Sequence, residues 1–160
     1  MKFAYADPPY LGQGKKLYGA PEWDDPGSHY ALISKLSDYY PDGWALSCST
    51  PSLRTLLQYT PIDCRVGAWV KPFAVFKPNV NPAYAWEPII FRGGRKRSRA
   101  EPTIRDWFSC NIALKKGLVG AKPPEVCEWI ISLLGARRGE DRFDDLFPGA
   151  GIFTRTWNQT

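Results

Sequence analysis

The sequence predicts an α/β domain in which a sheet of about five strands is flanked by helices. The chain has 160 residues, a length typical of one domain with a single buried core. Hydrophobic residues make up 44% and charged residues 23%, which indicates a globular protein rather than a disordered or fibrous one. Strand-like apolar runs alternate with segments of helical periodicity. This alternation favours parallel strands, and we expect one domain over residues 1–160.

The N-terminal half predicts two strands and two helices in alternation. The first strand ends where Pro8 and Pro9 remove backbone donors. A loop broken by glycine and proline extends to about residue 27, and Ser28 is the expected N-cap of the helix that follows. The elements in order are a strand at 2–6, a helix at 29–40, a strand at 44–49 and a short helix that begins at 51–52 and ends before 61.

The C-terminal half predicts three more strands and two helices. Pro88 lies inside one of these strands and therefore predicts an edge position or a bulge. We expect an irregular, substrate-facing region at about 72–119, interrupted by that strand. The elements in order are strands at 65–70 and 84–91, a helix that begins at 123–124, a strand at 142–147 and a terminal helix that contains Ile152, Phe153 and Trp157.

The positive charge of the chain is concentrated in one loop. Formal charge is +5, and the stretch RGGRKRSR at 92–99 contains five basic residues and no acid. Of the 21 Lys and Arg, the 16 outside this loop balance the 16 Asp and Glu. Such a loop is either a solvated surface or a phosphate-binding element whose affinity falls with salt. Its basic residues are Arg92, Arg95, Lys96, Arg97 and Arg99.

Several classes of protein are excluded. No apolar run approaches the roughly 18 residues of a membrane span, and no signal peptide is visible, so we expect a cytoplasmic protein. The four cysteines form no CxxC pair, which argues against a zinc site and a redox dithiol. The sequence does not exclude disulfides between these cysteines, but we favour reduced thiols because no secretory signal is visible. His29 is the single histidine, and we expect no metal centre.

The turn Asp7-Pro8-Pro9-Tyr10 follows the first strand, at the end where ligands bind in open α/β sheets. Its prolines remove donors, so the carbonyls of Asp7 and Pro8 and the Asp7 carboxylate form a small acceptor-only cluster. Such a cluster suits an exocyclic amine, and Tyr10 offers a flat face for the base that carries it. A base held in this way must be unpaired or flipped out of a duplex. The alternative is a strand-terminating turn with a capping aspartate.

A second turn, DLFPGAG at 145–151, follows the last predicted strand. Its glycines allow close backbone approach to a ligand and unusual φ angles. The spacing lacks the full G-x-G-x-x-G pattern, so on its own it indicates a strand-to-helix turn rather than a dinucleotide site.

The two turns together resemble the amino-methyltransferases that use S-adenosylmethionine (SAM) and carry a DPPY motif. With DPPY first and DDLFPGAGIFTRTW last, the chain is similar to the circularly permuted DNA N6-adenine methyltransferases of bacteriophage type. The segments WVKPF, WEPIIFRGGR and WNQ are also similar to the messenger-RNA adenosine methyltransferase family. The resemblance implies a Rossmann-like sheet of permuted order and methyl transfer from SAM to adenine N6 in DNA. It also implies a bacterial or phage-infected host cell as location.

The resemblance implies a role for each matching residue. Asp7, Pro8, Pro9 and Tyr10 would be catalytic, with Asp7 and the Pro8 carbonyl accepting from the target amine and Tyr10 stacking on the base. Lys122 would close over the methionine part of the cofactor together with Pro123, whereas Asn158 and Gln159 would hold its ribose. The full set of implied cofactor-binding residues is Asp7, Lys122, Pro123, Asp145, Phe147, Gly149, Gly151, Asn158 and Gln159.

The family continues past its glycine turn into two further strands, one of which supplies an acidic residue for the ribose. This sequence ends nine residues after Gly151, and we expect a sheet truncated on the cofactor side. Three outcomes are open: Asn158 and Gln159 replace the missing wall, a homodimer completes the cofactor pocket, or cofactor affinity is poor.

Nucleic acid, DNA in the first place, is the expected partner. Next to a base-modifying motif we favour phosphate contact for the cations at 92–99. Lys15 and Lys16 follow DPPY closely and would hold the target strand near the pocket. Three alternatives stay open: adenine N6 in RNA, cytosine N4 in DNA, and a catalytically inactive nucleic-acid-binding module with the same fold.

Overall fold

The computed structural model describes residues 1–73, 78–112 and 121–159, and in these ranges the chain forms a six-stranded mixed sheet flanked by helices. The predicted α/β class is confirmed. The strands are β1 (Lys2–Ala6), β2 (Gly43–Ser47), β3 (Arg65–Val70), β4 (Trp86–Gly93), β5 (Trp107–Ser109) and β6 (Arg142–Asp145). The helices are α1 (Pro26–Tyr39), α2 (Thr50–Leu57), α3 (Pro124–Leu134) and α4 (Ile152–Asn158), with a π-helical turn at Gly14–Tyr18 and a 3₁₀ turn at Pro21–Asp24.

The sheet has the order β5-β3-β4-β2-β1-β6, and β4 runs antiparallel to both of its neighbours. The expected parallel direction is therefore wrong for β4, and β5 is a strand in addition to the about five that the sequence predicts. A parallel neighbour needs a long crossover, usually a helix, and the described residues between β3 and β4 contain none. Five strands consequently end at one edge of the sheet, the carboxyl edge, and β4 ends at the opposite, amino edge.

Pro88 lies inside the sheet, not at the edge or bulge that the sequence predicts. It is opposite Ala68 of β3, and its carbonyl O accepts a hydrogen bond from Cys48 N at 3.2 Å. In an antiparallel strand the N–H and C=O of one residue point to the same neighbour. The missing donor of Pro88 therefore faces the position just past Ser47, where β2 has already ended.

The segment between β1 and α1 is more regular than its glycines and prolines predict. The Asp24 carboxylate accepts hydrogen bonds at 2.7 and 3.0 Å from the first two backbone N–H groups of the π-helical turn, which ties this turn to the 3₁₀ turn. Asp25, and not Ser28, is the N-cap of α1, because its carboxylate accepts from Gly27 N at 2.9 Å.

Side chains alternate between the two faces of β1, and each face packs on a different pair of helices. Phe3 and Tyr5 belong to the core layer under α3 and α4, whereas Ala4 and Ala6 belong to the layer under α1 and α2. All four side chains are buried. β1 is thus fixed from both sides, which gives the DPPY turn at its end a rigid base.

The region at 72–119 is only partly irregular. It contains β4 and also β5, which the sequence does not reveal because three residues carry too little periodicity. Residues 74–77 and 113–120 of this region lie outside the described residues. The assignment of one domain to residues 1–160 stays a prediction.

Three smaller expectations concern cysteines, metals and membranes. The four cysteines are free thiols. Within the described ranges, no group of three or more His, Cys, Asp or Glu side chains is arranged to hold a metal ion. No helix in the described part of the chain is long and apolar enough to cross a membrane. The cytoplasmic location stays a prediction.

Candidate active site

The two turns singled out in the sequence meet at the carboxyl edge, because β1 and β6 are parallel neighbours. Tyr5 is opposite Asp145 in the register, and Leu146 N donates to the carbonyl O of Tyr5 at 2.9 Å. The DPPY turn therefore begins directly beside the glycine turn at 145–151. Segments from the two ends of the sequence thus form one site.

A cavity of about 200 Å³ lies between these turns. A second cavity, of about 210 Å³, shares Ala121, Lys122 and Ile152 with the first. Together they reach the size of small-molecule sites, which starts at roughly 300 Å³. Five implied cofactor residues line the first cavity: Asp7, Lys122, Asp145, Phe147 and Gly149.

The glycine turn at 145–151 lines the cavity, and its backbone is accessible there at Gly149. Gly149 has a φ of 46°, and the nearest described neighbour of a Cβ built there is the carbonyl O of Phe147, at 3.9 Å. Asp145 braces the turn, since its carboxylate accepts from Phe147 N at 3.3 Å and from Thr154 Oγ1 at 2.8 Å. Gly151 is the N-cap of α4 and lies outside the cavity lining. Gly149 is therefore the glycine at which a ligand can approach the backbone closely.

The Asp7 carboxylate is held by a buried lysine. Lys122 Nζ lies 2.9 Å from Asp7 Oδ1 and 2.8 Å from Asp7 Oδ2, and the lysine side chain is 6% exposed. The Tyr10 hydroxyl lies 3.1 Å from Asp7 Oδ1 and 3.0 Å from Lys122 Nζ. The sequence predicts acceptors alone around Asp7. That prediction is wrong, because an ammonium group shares the site.

Glu87 and Lys71 complete what we call the charge cluster, which consists of Asp7, Lys122, Glu87 and Lys71. Glu87 Oε1 lies 2.9 Å from Lys122 Nζ and accepts from the Tyr10 hydroxyl at 2.5 Å. Glu87 Oε2 accepts from Lys71 Nζ at 2.8 Å. Two carboxylates and two ammonium groups thus balance each other, which is the condition for holding charges away from water.

The two carboxyl groups of the charge cluster have opposite pKa shifts. Burial raises the pKa of Asp7, and Lys122 offsets only part of this rise. Burial also acts on Glu87, but Lys122 and Lys71 outweigh it and lower the pKa of Glu87 to about 2. Burial disfavours the charged form of Lys122, yet the carboxylates keep its pKa well above the ordinary value. Glu87 therefore carries the permanent negative charge, and Asp7 is the carboxyl group that can exchange a proton.

Lys71 is a site residue that the sequence does not predict, and Glu87 belongs to neither of the two turns from which the site was identified. A signal for Glu87 exists, because one acidic residue interrupts an otherwise apolar run at 86–91. The antiparallel direction of β4 brings this residue to the carboxyl edge, whereas a parallel strand would carry it to the amino edge.

The two prolines of the DPPY turn lie between Asp7 and Tyr10, and the Tyr10 hydroxyl is hydrogen-bonded to the Asp7 carboxylate. Pro8 is buried, Pro9 and Tyr10 are half-buried, and the Tyr10 hydroxyl points into the charge cluster. The stacking of a base on the Tyr10 ring stays a prediction.

Besides Gly151, three implied cofactor residues are absent from the lining of the cavity at Asp7. Pro123 is buried and is the N-cap of α3. Gln159 lines the second cavity, whereas Asn158 lines a separate groove beside β6. The structure therefore does not bring together the two residues expected at one ribose.

Lys15 and Lys16 lie in the π-helical turn that follows DPPY, and both are exposed. Tyr18 of the same turn lines the cavity. The approach of these two cations to the cavity and their contact with nucleic acid stay predictions.

The basic loop at 92–99 lies at the amino edge, not beside the DPPY turn. In the register of β4, Gly93 pairs with Gly43 at the start of β2, whereas Glu87 lies near the opposite end of the strand. The loop and the DPPY turn are thus at opposite edges of the sheet, and phosphate contact by the cations at 92–99 stays a prediction.

The five cations of this loop also differ in their partners. Arg92 pairs with Asp63 at 2.8 Å and Arg95 with Asp141 at 2.7 Å, so each has an acidic partner within the chain. Arg97 donates to a backbone carbonyl of α3. The remaining two, Lys96 and Arg99, are exposed and have no acidic partner among the described residues.

No family model matches the chain, and no curated protein matches it. Among solved structures, the chain is similar to M1.HpyAVI in complex with SAM, with a TM-score of 0.62 and 18% identity over 98% of this chain and 76% of that chain. It is also similar to a second crystal structure of M1.HpyAVI, with a TM-score of 0.58 and 18% identity over 97% of this chain and 74% of that chain. These similarities show a shared fold.

Proposed function

We propose that this protein transfers a methyl group from SAM to adenine N6 in DNA. The observation that carries the proposal is that Asp7, held in the charge cluster, and Gly149, in the glycine turn, line one cavity. The fold shared with M1.HpyAVI, a protein solved in complex with SAM, supports the choice of cofactor.

The cavities fit SAM in their size and in their lining. The open backbone at Gly149 leaves room for a ligand, and the carboxylates of Asp7 and Asp145 suit its positively charged groups. Asp7, Asp145, Phe147 and Gly149 would hold the cofactor in the first cavity, with Lys122 in the wall between both cavities. When bound, SAM supplies a methyl group on a positively charged sulfur atom.

Asp7 holds the target amine in this proposal. A carboxylate oxygen can accept two hydrogen bonds, and among the described contacts Asp7 Oδ2 accepts one, from Lys122. The second acceptor is the Pro8 carbonyl, whose neighbour Pro9 adds no competing N–H group. An amine that donates to both oxygens keeps its lone pair free for attack. Proximity and alignment then supply most of the acceleration.

The transfer needs no separate strong base. The amine nitrogen forms a bond to the methyl carbon as the sulfur–carbon bond breaks, and the electron pair of that bond stays on sulfur. One proton leaves the nitrogen afterwards. The raised pKa of Asp7 suits it as the acceptor of this proton, whereas Lys122 stays protonated and orients Asp7.

DNA as the methyl acceptor is supported by the DPPY motif and by the exposed cations of the turn that follows it. Lys15 and Lys16 would contact phosphates that flank a flipped or single-stranded adenine. A homodimer that completes the cofactor pocket stays a prediction, which sedimentation velocity at assay concentrations tests.

The test of the proposed function uses SAM labelled in its methyl group. The protein is incubated with single-stranded DNA, duplex DNA or RNA, and the nucleic acid is digested so that the labelled nucleoside can be identified. We expect labelled N6-methyladenine from DNA. Label in N4-methylcytosine, or in RNA alone, would contradict adenine in DNA as the substrate. It would still support methyl transfer from SAM to an amino group of a base. No label in any nucleic acid, with binding intact, would point to an inactive binding module.

A further inference from the structure

An arginine-lined groove of about 600 Å³ lies at the amino edge of the sheet, away from the candidate active site. We call it the arginine groove. Half-buried Ile104 and Leu133 contribute apolar surface to it. Two acidic side chains, Asp63 and Glu101, also line it. Its four cations are Arg65, Arg92, Arg97 and Arg99.

The arginine groove and the charge cluster are separated by the length of β4 and of α3. From Glu87 to Gly93 the strand extends roughly 20 Å at about 3.3 Å per residue. α3 has 11 residues, begins just after Lys122 and carries Leu133 near its other end. A ligand in the groove therefore cannot occupy the cavity at Asp7, and a polymer could reach both.

The acids of the groove do not cancel its positive character. Arg92 pairs with Asp63, and Arg65 pairs with Asp106 at 3.0 Å, but both pairs are solvent-exposed and exchange their partners at small cost. The Glu101 carboxylate accepts from Ser98 N at 2.6 Å and pairs at 3.5 Å with Arg137, a cation outside the groove lining.

Arg97 and Arg99 are the cations most available to a ligand. Both are exposed, and neither has an acidic side-chain partner among the residues that the structure describes. Arg97 donates to the carbonyl O of Ser132, which directs the loop across the end of α3. Arg97 is thus held at the groove, and neither guanidinium group forms an ion pair with a described acidic side chain.

Arginine is the residue that matches a phosphate group in shape, because its planar fork donates two parallel hydrogen bonds. Apolar surface between several arginines suits a ligand that carries phosphates on one side and flat bases on the other. We propose that the arginine groove binds the sugar-phosphate backbone of a single nucleic-acid strand, roughly 20 Å from the site of methyl transfer. This inference rests on the proposed function in taking a nucleic acid as the substrate.

The experiment compares two double variants that remove the same charge. Arg97→Gln/Arg99→Gln changes the groove, and Lys35→Gln/Arg54→Gln changes exposed cations of α1 and α2 as the control. Binding of a fluorescent 12-nucleotide single-stranded DNA is measured by anisotropy across a NaCl series. Thermal unfolding checks that all proteins are folded, and SAM binding is expected to be the same in each.

Two lost phosphate contacts lower the slope of log Kd against log salt by about 1.4 for a single strand, and Kd rises roughly 25-fold at 0.1 M NaCl. The control is expected within twofold of the unchanged protein. Equal affinity of the groove variant and the unchanged protein would overturn the proposal. Equal weakening by the control would overturn it too, because bulk charge would then suffice. Equally tight binding of polyglutamate of matched charge would point instead to an acidic protein partner.

A kinetic readout separates this inference from the proposed function. If the protein methylates DNA, the groove variant is expected to raise KM for DNA and to leave kcat unchanged. If the groove variant transfers methyl groups with an unchanged KM for DNA, the groove does not bind the substrate. The proposed function would then still hold. The opposite result is a protein that transfers no methyl group but loses DNA binding in the groove variant. It would support DNA binding by the groove and contradict the proposed methyl transfer.

Discussion

Two ionic networks, each built around a buried charged side chain, lie at opposite edges of the sheet, and they differ in how their aspartates are held. At the carboxyl edge the charge cluster of Asp7, Lys122, Glu87 and Lys71 lies against the cavity of about 200 Å³. At the amino edge Asp141, whose side chain is 1% exposed, is surrounded by the terminal amino group, Arg95 and a backbone N–H. The first network has space for a ligand beside it, whereas the carboxylate at the centre of the second is occupied by donors of the chain itself.

The difference appears in the two aspartates. Burial favours the neutral form of Asp141, but its three donors outweigh this effect and lower its pKa to about 2. Burial dominates at Asp7 and raises its pKa, because Lys122 is shared with Glu87. A saturated carboxylate ties chain segments together, whereas a carboxyl group with a raised pKa beside a cavity is typical of a reaction site.

The largest effect is expected for Asp7→Ala, which removes the group that holds the amine. Methyl transfer from labelled SAM should fall by at least about 100-fold, because the amine loses its alignment. The salt-dependent affinity for nucleic acid should stay nearly unchanged, since the arginine groove lies at the other edge. A variant that keeps a normal initial rate would show that Asp7 does not direct the reaction.

A large effect on stability is expected for Glu87→Gln, which leaves Lys71 and Lys122 with too little negative charge. Breaking a buried ionic network in this way costs about 3 kcal/mol in the free energy of unfolding, which urea denaturation measures. An unchanged unfolding midpoint would mean that the charge cluster is open to water.

The cost of Glu87→Gln should depend on pH in one direction. Since the pKa of Glu87 is lowered from 4.5 to about 2 in the folded protein, its stabilising charge is fully present above about pH 4.5 and is lost as pH falls toward 2. The urea midpoints of the unchanged protein and of Glu87→Gln should differ by a constant amount above pH 5. Below pH 5 the two midpoints should converge. Asp7 is present in both, so its opposite shift largely cancels in the comparison. If the difference between the two midpoints grows as pH falls, the pKa of Glu87 is not lowered in the folded protein.

The smallest effect is expected for Asp63→Asn at the amino edge. Asp63 pairs with Arg92, but the aspartate side chain is 58% exposed, so water replaces the partner. Its urea midpoint should match that of the unchanged protein. A loss comparable to that of Glu87→Gln would remove the contrast between the two edges.

Local chemistry was predictable from the sequence, and the direction of one strand was not. Prolines at 8 and 9 and the glycine at 149 act within their own turns, so both halves of the site can be identified from neighbouring residues. The charge cluster depends on the reversal of β4, which no local pattern specifies. The same reversal carries the basic loop to the amino edge. One long-range fact therefore explains both the place of Glu87 in the charge cluster and the distance of the basic loop from the DPPY turn.

The central claim, that the cavity at the carboxyl edge binds SAM, is tested most directly by isothermal titration with SAM. Gly149→Val adds a side chain at the cavity, and Gly139→Val is the matched control, because Gly139 also has a positive φ and has open space around it away from the cavity. The account predicts that the unchanged protein and Gly139→Val bind SAM alike and that Gly149→Val binds it at least tenfold more weakly. Absence of SAM binding in the unchanged protein, or equal affinity of all three, would contradict it.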